Sequence, residues 1–144
     1  MKWEIVTTEA QLQQAKAIRH RVFVMEQGVS EELEHDEYDK LSEQCTHILL
    51  YEGNEAVGTG RIRKVNEEVG KLERICVLHE VRGKGAGAVI MQALESIASE
   101  QGLHETKLGA QLQAKGFYEK LGYETCSDLF MDAGIEHVLM RKKL

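Results

Sequence analysis

A chain of 144 residues, 42% hydrophobic and 29% charged, is sized and composed for one globular domain, 1–144, that buries roughly two-thirds of its unfolded surface. Its net charge of −6 argues against a general nucleic-acid binder, and no apolar run approaches the ~20 residues of a membrane helix. Three cysteines, far apart and outside C-x-x-C spacing, read as reduced thiols of a cytoplasmic protein, in keeping with an N-terminus (Met1-Lys2-Trp3-Glu4) that lacks a signal peptide's apolar stretch.

Trp3 to Thr7 reads as a short first strand. Thr8 is placed to cap a helix from Glu9 to about Val24, with Gln11 completing a capping box and Leu12, Ala15, Ile18 and Val22 at helical spacing. Gly28 breaks it. Seven acidic residues fall between Glu26 and Asp39, in a short helix or loop whose charge could attract a cationic amine. Cys45 to Glu52 and Glu55 to Val65 read as strands joined by a Gly53-Asn54 hairpin turn. Gly58 and Gly60 inside the second of them suggest a bulge or a close backbone approach. After a turn over Asn66 to Gly70, Lys71 to Leu78 is the fourth strand. A helix follows from Ala86, striped by Val89, Ile90, Ala93, Leu94 and Ile97 and ended by Gly102. His104 to Ala110 is the fifth strand and Gln111 to Leu121 a helix closed by Gly122. Tyr123 to Met131 and Ile135 to Arg141 pair as a final hairpin. The six histidines are scattered and form no metal-ligand spacing.

The most specific segment is Arg82-Gly83-Lys84-Gly85-Ala86-Gly87, between the fourth strand and its helix. Glycines there let backbone N–H groups converge on an anion at a helix N-terminus, so a phosphate-bearing ligand is expected. A Walker A loop would need glycine where Leu78 stands and Ser or Thr where Gly85 stands. The dinucleotide fingerprint matches at Gly83, Gly85 and Ala88. Its acidic partner fails, because Glu105 opens the next strand instead of closing it, and too little chain remains for a six-strand domain.

The pattern Arg82, Gly85, Gly87 resembles the coenzyme A pyrophosphate loop of the GNAT N-acetyltransferase superfamily. Gly116-Phe117-Tyr118-Glu119-Lys120-Leu121-Gly122-Tyr123 resembles that superfamily's second hallmark, a helix carrying a tyrosine and ending in Leu-Gly-aromatic. Arg21-Val22-Phe23-Val24-Met25-Glu26-Gln27, the acidic loop with Asp36 and Asp39, and Gly134-Ile135-Glu136-His137 with Met140 are similar to a bacterial branch called ElaA-like or YjcF-like, although proline is expected at Glu136. The resemblance covers nearly the whole chain. It implies an α/β GNAT fold: a mixed central β-sheet with helices on both faces and splayed fourth and fifth strands. The strand–glycine loop–helix–strand crossover and the flanking hairpins agree with that architecture. It also implies an acetyl-CoA-dependent N-acyltransferase without a metal, acting on a small-molecule or peptide amine. A homodimer is left open.

Within that reading Tyr118 stands beside the coenzyme A sulfur, where a phenol pKa near 10 is close to a thiol's ~8.5; the bland alternative is packing. Glu73 is the candidate base, directly or through a water, on the expectation that apolar neighbours raise its pKa; the alternative is an ion pair with Arg74, Lys71 or an arginine of another strand. Glu26 is a second candidate, or orders the acidic loop. The amides of Ile75, Cys76 and Val77 are inferred contacts for an oxyanion and the pantetheine arm. Arg82, Gly83, Lys84, Gly85, Ala86 and Gly87 are inferred to hold the pyrophosphate. Arg61 and Arg63 share a strand face and could bind an acceptor's carboxylate or phosphate, or form salt bridges. Gln111 could bind acceptor or cofactor, or cap a helix, and His137 reads as structural. Two rivals stand beside the enzyme: a non-catalytic acyl-CoA-binding module, against which Tyr118 argues, and an acyl-homoserine-lactone synthase. Such synthases run longer, and their early motif is richer in aromatic and basic residues than the stretch holding Phe23.

Overall fold

A computed structural model describes residues 1–144. The elements in order are β1 (Lys2–Ile5), α1 (Glu9–Arg19), a π-helical segment (His20–Glu26), α2 (Glu31–Glu34), β2 (Cys45–Glu52), β3 (Glu55–Lys64), β4 (Val69–Val77), α3 (Ala86–Glu100), β5 (Glu105–Gln111), α4 (Lys115–Lys120), β6 (Glu124–Thr125), β7 (Phe130–Asp132) and β8 (Ile135–Lys143). One eight-stranded sheet runs β1-β2-β3-β4-β5-β8-β6, with β7 also on β8; only β4 and β5 are parallel.

Local chemistry accounts for most of these elements. The Thr8 hydroxyl accepts from the Gln11 N–H at 3.2 Å and Gln11 returns the bond to the Thr8 N–H, so α1 starts on a full capping box. α3 buries Ala86, Ile90, Met91, Ala93, Leu94, Ile97 and Ala98 against the sheet. Gly58 and Gly60 permit that contact: a Cβ on Gly58 would stand 2.9 Å from Ile90, and one on Gly60 3.0 Å from Ile90 and Leu94. Between these glycines and beyond them, Thr59 and Arg61 point to the opposite face. There Arg61 meets Asp36 and Asp39 of the loop after α2, and Arg19 of α1 reaches the same Asp39. Helices and loop therefore cover both faces.

Three elements differ from the sequence-based expectation. The helix expected to continue to Val24 changes to π-helical turns at His20, with the Gln27 N–H on the Val22 carbonyl five residues back. Gln111 ends β5, and a single 3₁₀ turn, Leu112–Ala114, precedes α4. The strand expected over Tyr123 to Met131 is broken, because the Ser127 hydroxyl accepts the Leu139 N–H at 2.8 Å in place of a backbone carbonyl. The pieces on either side pair separately with β8.

Candidate active site

β4 and β5 are paired only from Val69↔Glu105 to Leu72↔Leu108. Beyond Leu72 the strands have no mutual ladder, and β4 carries a bulge: Thr59 faces Cys76 and Arg61 faces Glu73, so Gly60 alone opposes Arg74 and Ile75. Arg74 takes φ 56, a left-handed value rare for a side-chain-bearing residue. The parting opens a cavity of about 370 Å³, lined on β4 by residues 71–77, on β5 by Gly109 and Gln111, and from α4 by Tyr118. Phe23 and Gln27 of the π-helical region, Leu33 of α2 and the β7–β8 turn close its far side. That turn holds a second non-glycine left-handed residue, Ala133 at φ 51. Each such residue stores on the order of 1 kcal/mol of strain, and both border the cavity.

The glycine loop lies at one end. Gly83 and Gly85 take φ +84 and +81, and nothing lies within 4 Å of where their Cβ atoms would be. Their backbone conformation demands glycine, and the space beside them is open to a ligand. Gly87 has no left-handed φ; its Cβ would stand 3.0 Å from the tip of the partly exposed Phe117 ring, which would have to shift by a few tenths of an ångström. Gly85 begins α3 and no side chain caps the helix, which leaves its first turn suited to an anion. Arg82 donates to the Val77 carbonyl through Nε and Nη2 (3.2 and 3.0 Å) and to Glu26 at 2.7 Å, while Lys84 approaches Glu52 at 3.4 Å. Exposed pairs of this kind hold their partners weakly. Glu26 is thus placed at the glycine loop.

Tyr118 is buried, edge-on to Phe117 and Tyr123. Its hydroxyl makes no protein hydrogen bond, and no fully buried side-chain oxygen lacks a partner, so this hydroxyl opens to the cavity it lines. Burial, with a smaller contribution from Cys76, pushes its pKa up to about 12. The near match to a thiol expected from free phenol is corrected: burial moves the phenol further above the thiol range. Cys76 is no nucleophile, since burial also pushes its thiol pKa up.

Glu73 corrects another expectation. Burial alone would raise its pKa, but the hydrogen bond from Arg63 and the charges of Arg61, Arg63 and Lys71 outweigh burial and lower it. Arg61 and Arg63 donate to its Oε1 at 3.1 and 3.0 Å. Nor are these arginines open to an acceptor. Arg61 is 1% exposed and held by Asp36, Asp39 and Glu73; Arg63 stacks over Tyr38 with its guanidinium carbon 4.7 Å from the ring centroid. Neither lines the cavity, and the cations that do so on β4 are Lys71 and Arg74. The acidic loop is likewise not a free lure for amines: Glu34 and Asp39 hold Arg19, and Asp36 holds Arg61 and approaches Arg74. Gln111 does reach the cavity, its Nε2 donating to Gln27 Oε1 at 2.8 Å. Lys71, Arg74 and Gln27, which line the cavity, escaped a site reading of the sequence, because single polar residues on a helix or strand carry no local signal of what they meet.

Side chains at Gly109 have room at Cβ, 3.7 Å from Phe130 and 3.9 Å from His137, but longer ones enter the cavity. Gly109→Leu should keep the wild-type melting temperature and lower turnover at least about tenfold by displacing the reactants. A full-rate variant would show that the chemistry lies elsewhere.

A family model described as the acetyltransferase (GNAT) domain matches residues 6–144. The uncharacterized N-acetyltransferase YjcF of Bacillus subtilis (strain 168) is 47% identical over 143 residues, spanning 99% of both chains. The crystal structure of Escherichia coli ElaA superposes with a TM-score of 0.85 at 26% identity, covering 98% of each chain. An aminoglycoside 6'-N-acetyltransferase complexed with coenzyme A shares the fold, with a TM-score of 0.80 at 15% identity over 99% of this chain and 97% of that one.

Proposed function

The chain belongs to the GNAT acetyltransferase family, and from that premise we propose that it transfers the acetyl group of acetyl-CoA to a primary amine of a small molecule or peptide, by direct attack of the amine. It is an acyl-CoA-dependent N-acyltransferase. One observation carries the finer reading: an uncapped helix N-terminus, preceded by two left-handed glycines, opens beside a cavity between parted strands into which an unpartnered tyrosine hydroxyl points. The cysteines are all free, consistent with work in a reducing cytoplasm.

In this reading the N–H groups from Gly83 to Gly87 hold the pyrophosphate. Arg82 leaves Glu26 and the Val77 carbonyl to join it with Lys84, which costs little because both cations are exposed. Ile75, Cys76 and Val77 supply backbone donors and acceptors along the unpaired part of β4, for the pantetheine amides and the oxyanion. Tyr118 holds the departing thiolate by a hydrogen bond. Gln111 and Gln27, with Lys71 and Arg74, face the acceptor. Glu73 keeps Arg61, Arg63 and Lys71 neutralised, and its lowered pKa makes it a weak proton acceptor.

Gly85→Glu tests the loop. The added side chain enters open space, so the protein folds, with strain of about 1–2 kcal/mol for a left-handed non-glycine. A carboxylate then occupies the phosphate position. Calorimetry should show acetyl-CoA affinity lowered at least about a hundredfold. Unchanged affinity in a folded variant would remove the loop from the cofactor site. Thiol release that requires an amine separates a transferase from a protein that only binds the thioester.

A further inference from the structure

We propose that His137 receives the proton which the acceptor amine must lose before it attacks; the inference rests on the acetyl-transfer reading. Direct attack needs a neutral amine, and amines arrive mostly as ammonium at neutral pH. The carboxylate expected to take that proton, Glu73, is committed to Arg61, Arg63 and Lys71.

His137 lies in β8 opposite Gln111 of β5 and Phe130 of β7, and its ring lines the cavity. Nδ1 lies 2.7 Å from the Ile135 carbonyl oxygen. A carbonyl only accepts, so this bond puts the ring's proton on Nδ1 and leaves Nε2 with a bare lone pair. Nε2 has no protein partner, and no fully buried side-chain nitrogen is unpaired, so the lone pair opens outward. Cδ2, the carbon bonded to Nε2, faces Gly109, on the stretch of β5 that has lost β4. Phe130 stacks on the ring at 5.7 Å and fixes its plane. The result is a buried, oriented imidazole with one vacant acceptor, in the cavity that Glu73 and Arg74 also line.

The proton balance is direct. An ammonium carries two N–H protons more than the amide nitrogen formed from it. His137 Nε2 takes the first. As the N–C bond forms and the C–S bond breaks, the second passes to the departing sulfur, whose thiolate Tyr118 holds by its hydrogen bond. The products are the acetamide, the free thiol and an imidazolium that returns its proton to solvent. The charged groups sharing the cavity with His137 are Asp132 of β7, Lys71, Glu73 and Arg74 of β4, Glu34 of α2, and Arg82.

Three measurements test this. Long-range proton–nitrogen correlation on histidine-labelled protein should find the neutral His137 ring protonated at Nδ1; a proton on Nε2 overturns the proposal without reference to any acceptor. Thiol release is then followed with acetyl-CoA and lysine, spermidine, phenylalanine amide or kanamycin. His137→Asn keeps a donor for the Ile135 carbonyl and removes Nε2 with its lone pair, along with the ring that stacks on Phe130. It should lower kcat/KM roughly a hundredfold, remove the acidic limb of the pH–rate profile and leave acetyl-CoA affinity unchanged. A retained limb overturns the proposal. If the asparagine variant does not fold, His137→Gln is read in the same way, and imidazole added to His137→Ala should restore part of the rate, as it would not for a purely structural residue. No thiol release by the wild-type protein with any amine would count against acetyl transfer itself.

Discussion

Tyr118→Phe should lower kcat by roughly tenfold to a thousandfold while leaving the protein as stable as before. Phenylalanine preserves the ring's edge contacts, 5.0 Å to Phe117 and 6.0 Å to Tyr123 between centroids. The hydroxyl it removes has no protein partner, so no buried donor or acceptor is orphaned. Acetyl-CoA affinity should hold, since the pyrophosphate is bound at the glycine loop. Burial keeps the phenol protonated to about pH 12, so the wild-type hydroxyl remains a donor across the working range. The loss should therefore be the same at every pH where the enzyme is active. A pre-steady-state acetylation rate equal to wild type, with chemistry limiting, would return Tyr118 to packing.

Arg61→Met should cost about 3–5 kcal/mol at neutral pH, measured by urea unfolding, because it strips the cation from a buried cluster and leaves the carboxylates. Arg61 is fully buried and pairs with Asp36, Asp39 and Glu73; Arg19 shares Asp39. Burial raises the pKa of each of these carboxylates, yet the hydrogen bonds and charges of the arginines prevail and all three end below their usual values. The sign follows. Groups with lowered folded pKa stabilise the protein fully above their unfolded values, ~3.9 for Asp and ~4.3 for Glu, and the contribution disappears as pH falls below them. Wild-type stability should therefore fall below about pH 4, and the penalty of Arg61→Met should shrink over the same range as the carboxylates protonate. A penalty independent of pH would mean that Arg61 stabilises by packing alone. Activity should fall as well, since this cluster ties the loop after α2 to the sheet beside the cavity.

The glycine loop, the α3 stripe, the Thr8 capping box and the Tyr118 helix were all legible in the chain, for one reason. Each depends on residues within a few positions of one another: φ > 0 at Gly83 and Gly85, the 3.6-residue repeat, a side chain reaching three residues on. The strand-to-helix crossover followed from element order, and with it the mixed sheet. The fates of Glu73, Arg61 and Arg63 were not legible. Alternation along β3 and β4 placed them on faces, but it could not bring Asp36 and Asp39 over that face from a loop 25 residues earlier, as the Arg61–Asp36 pair requires. The ion pair weighed as the alternative for Glu73 is the one that formed, and it reversed the sign of the expected pKa shift.

His137 marks the same boundary. In sequence it is one histidine on a closing strand. Its tautomer is set locally, by the Ile135 carbonyl two residues earlier on β8, but its vacant nitrogen matters only where β5 has left β4. Local spacing determined the loop, the helices and the family to which their motifs belong. The register of distant strands decided which charges cancel, which polar atoms stay unpartnered and where the cavity opens, because pairing energies between segments far apart in the chain leave no periodic trace in either segment alone.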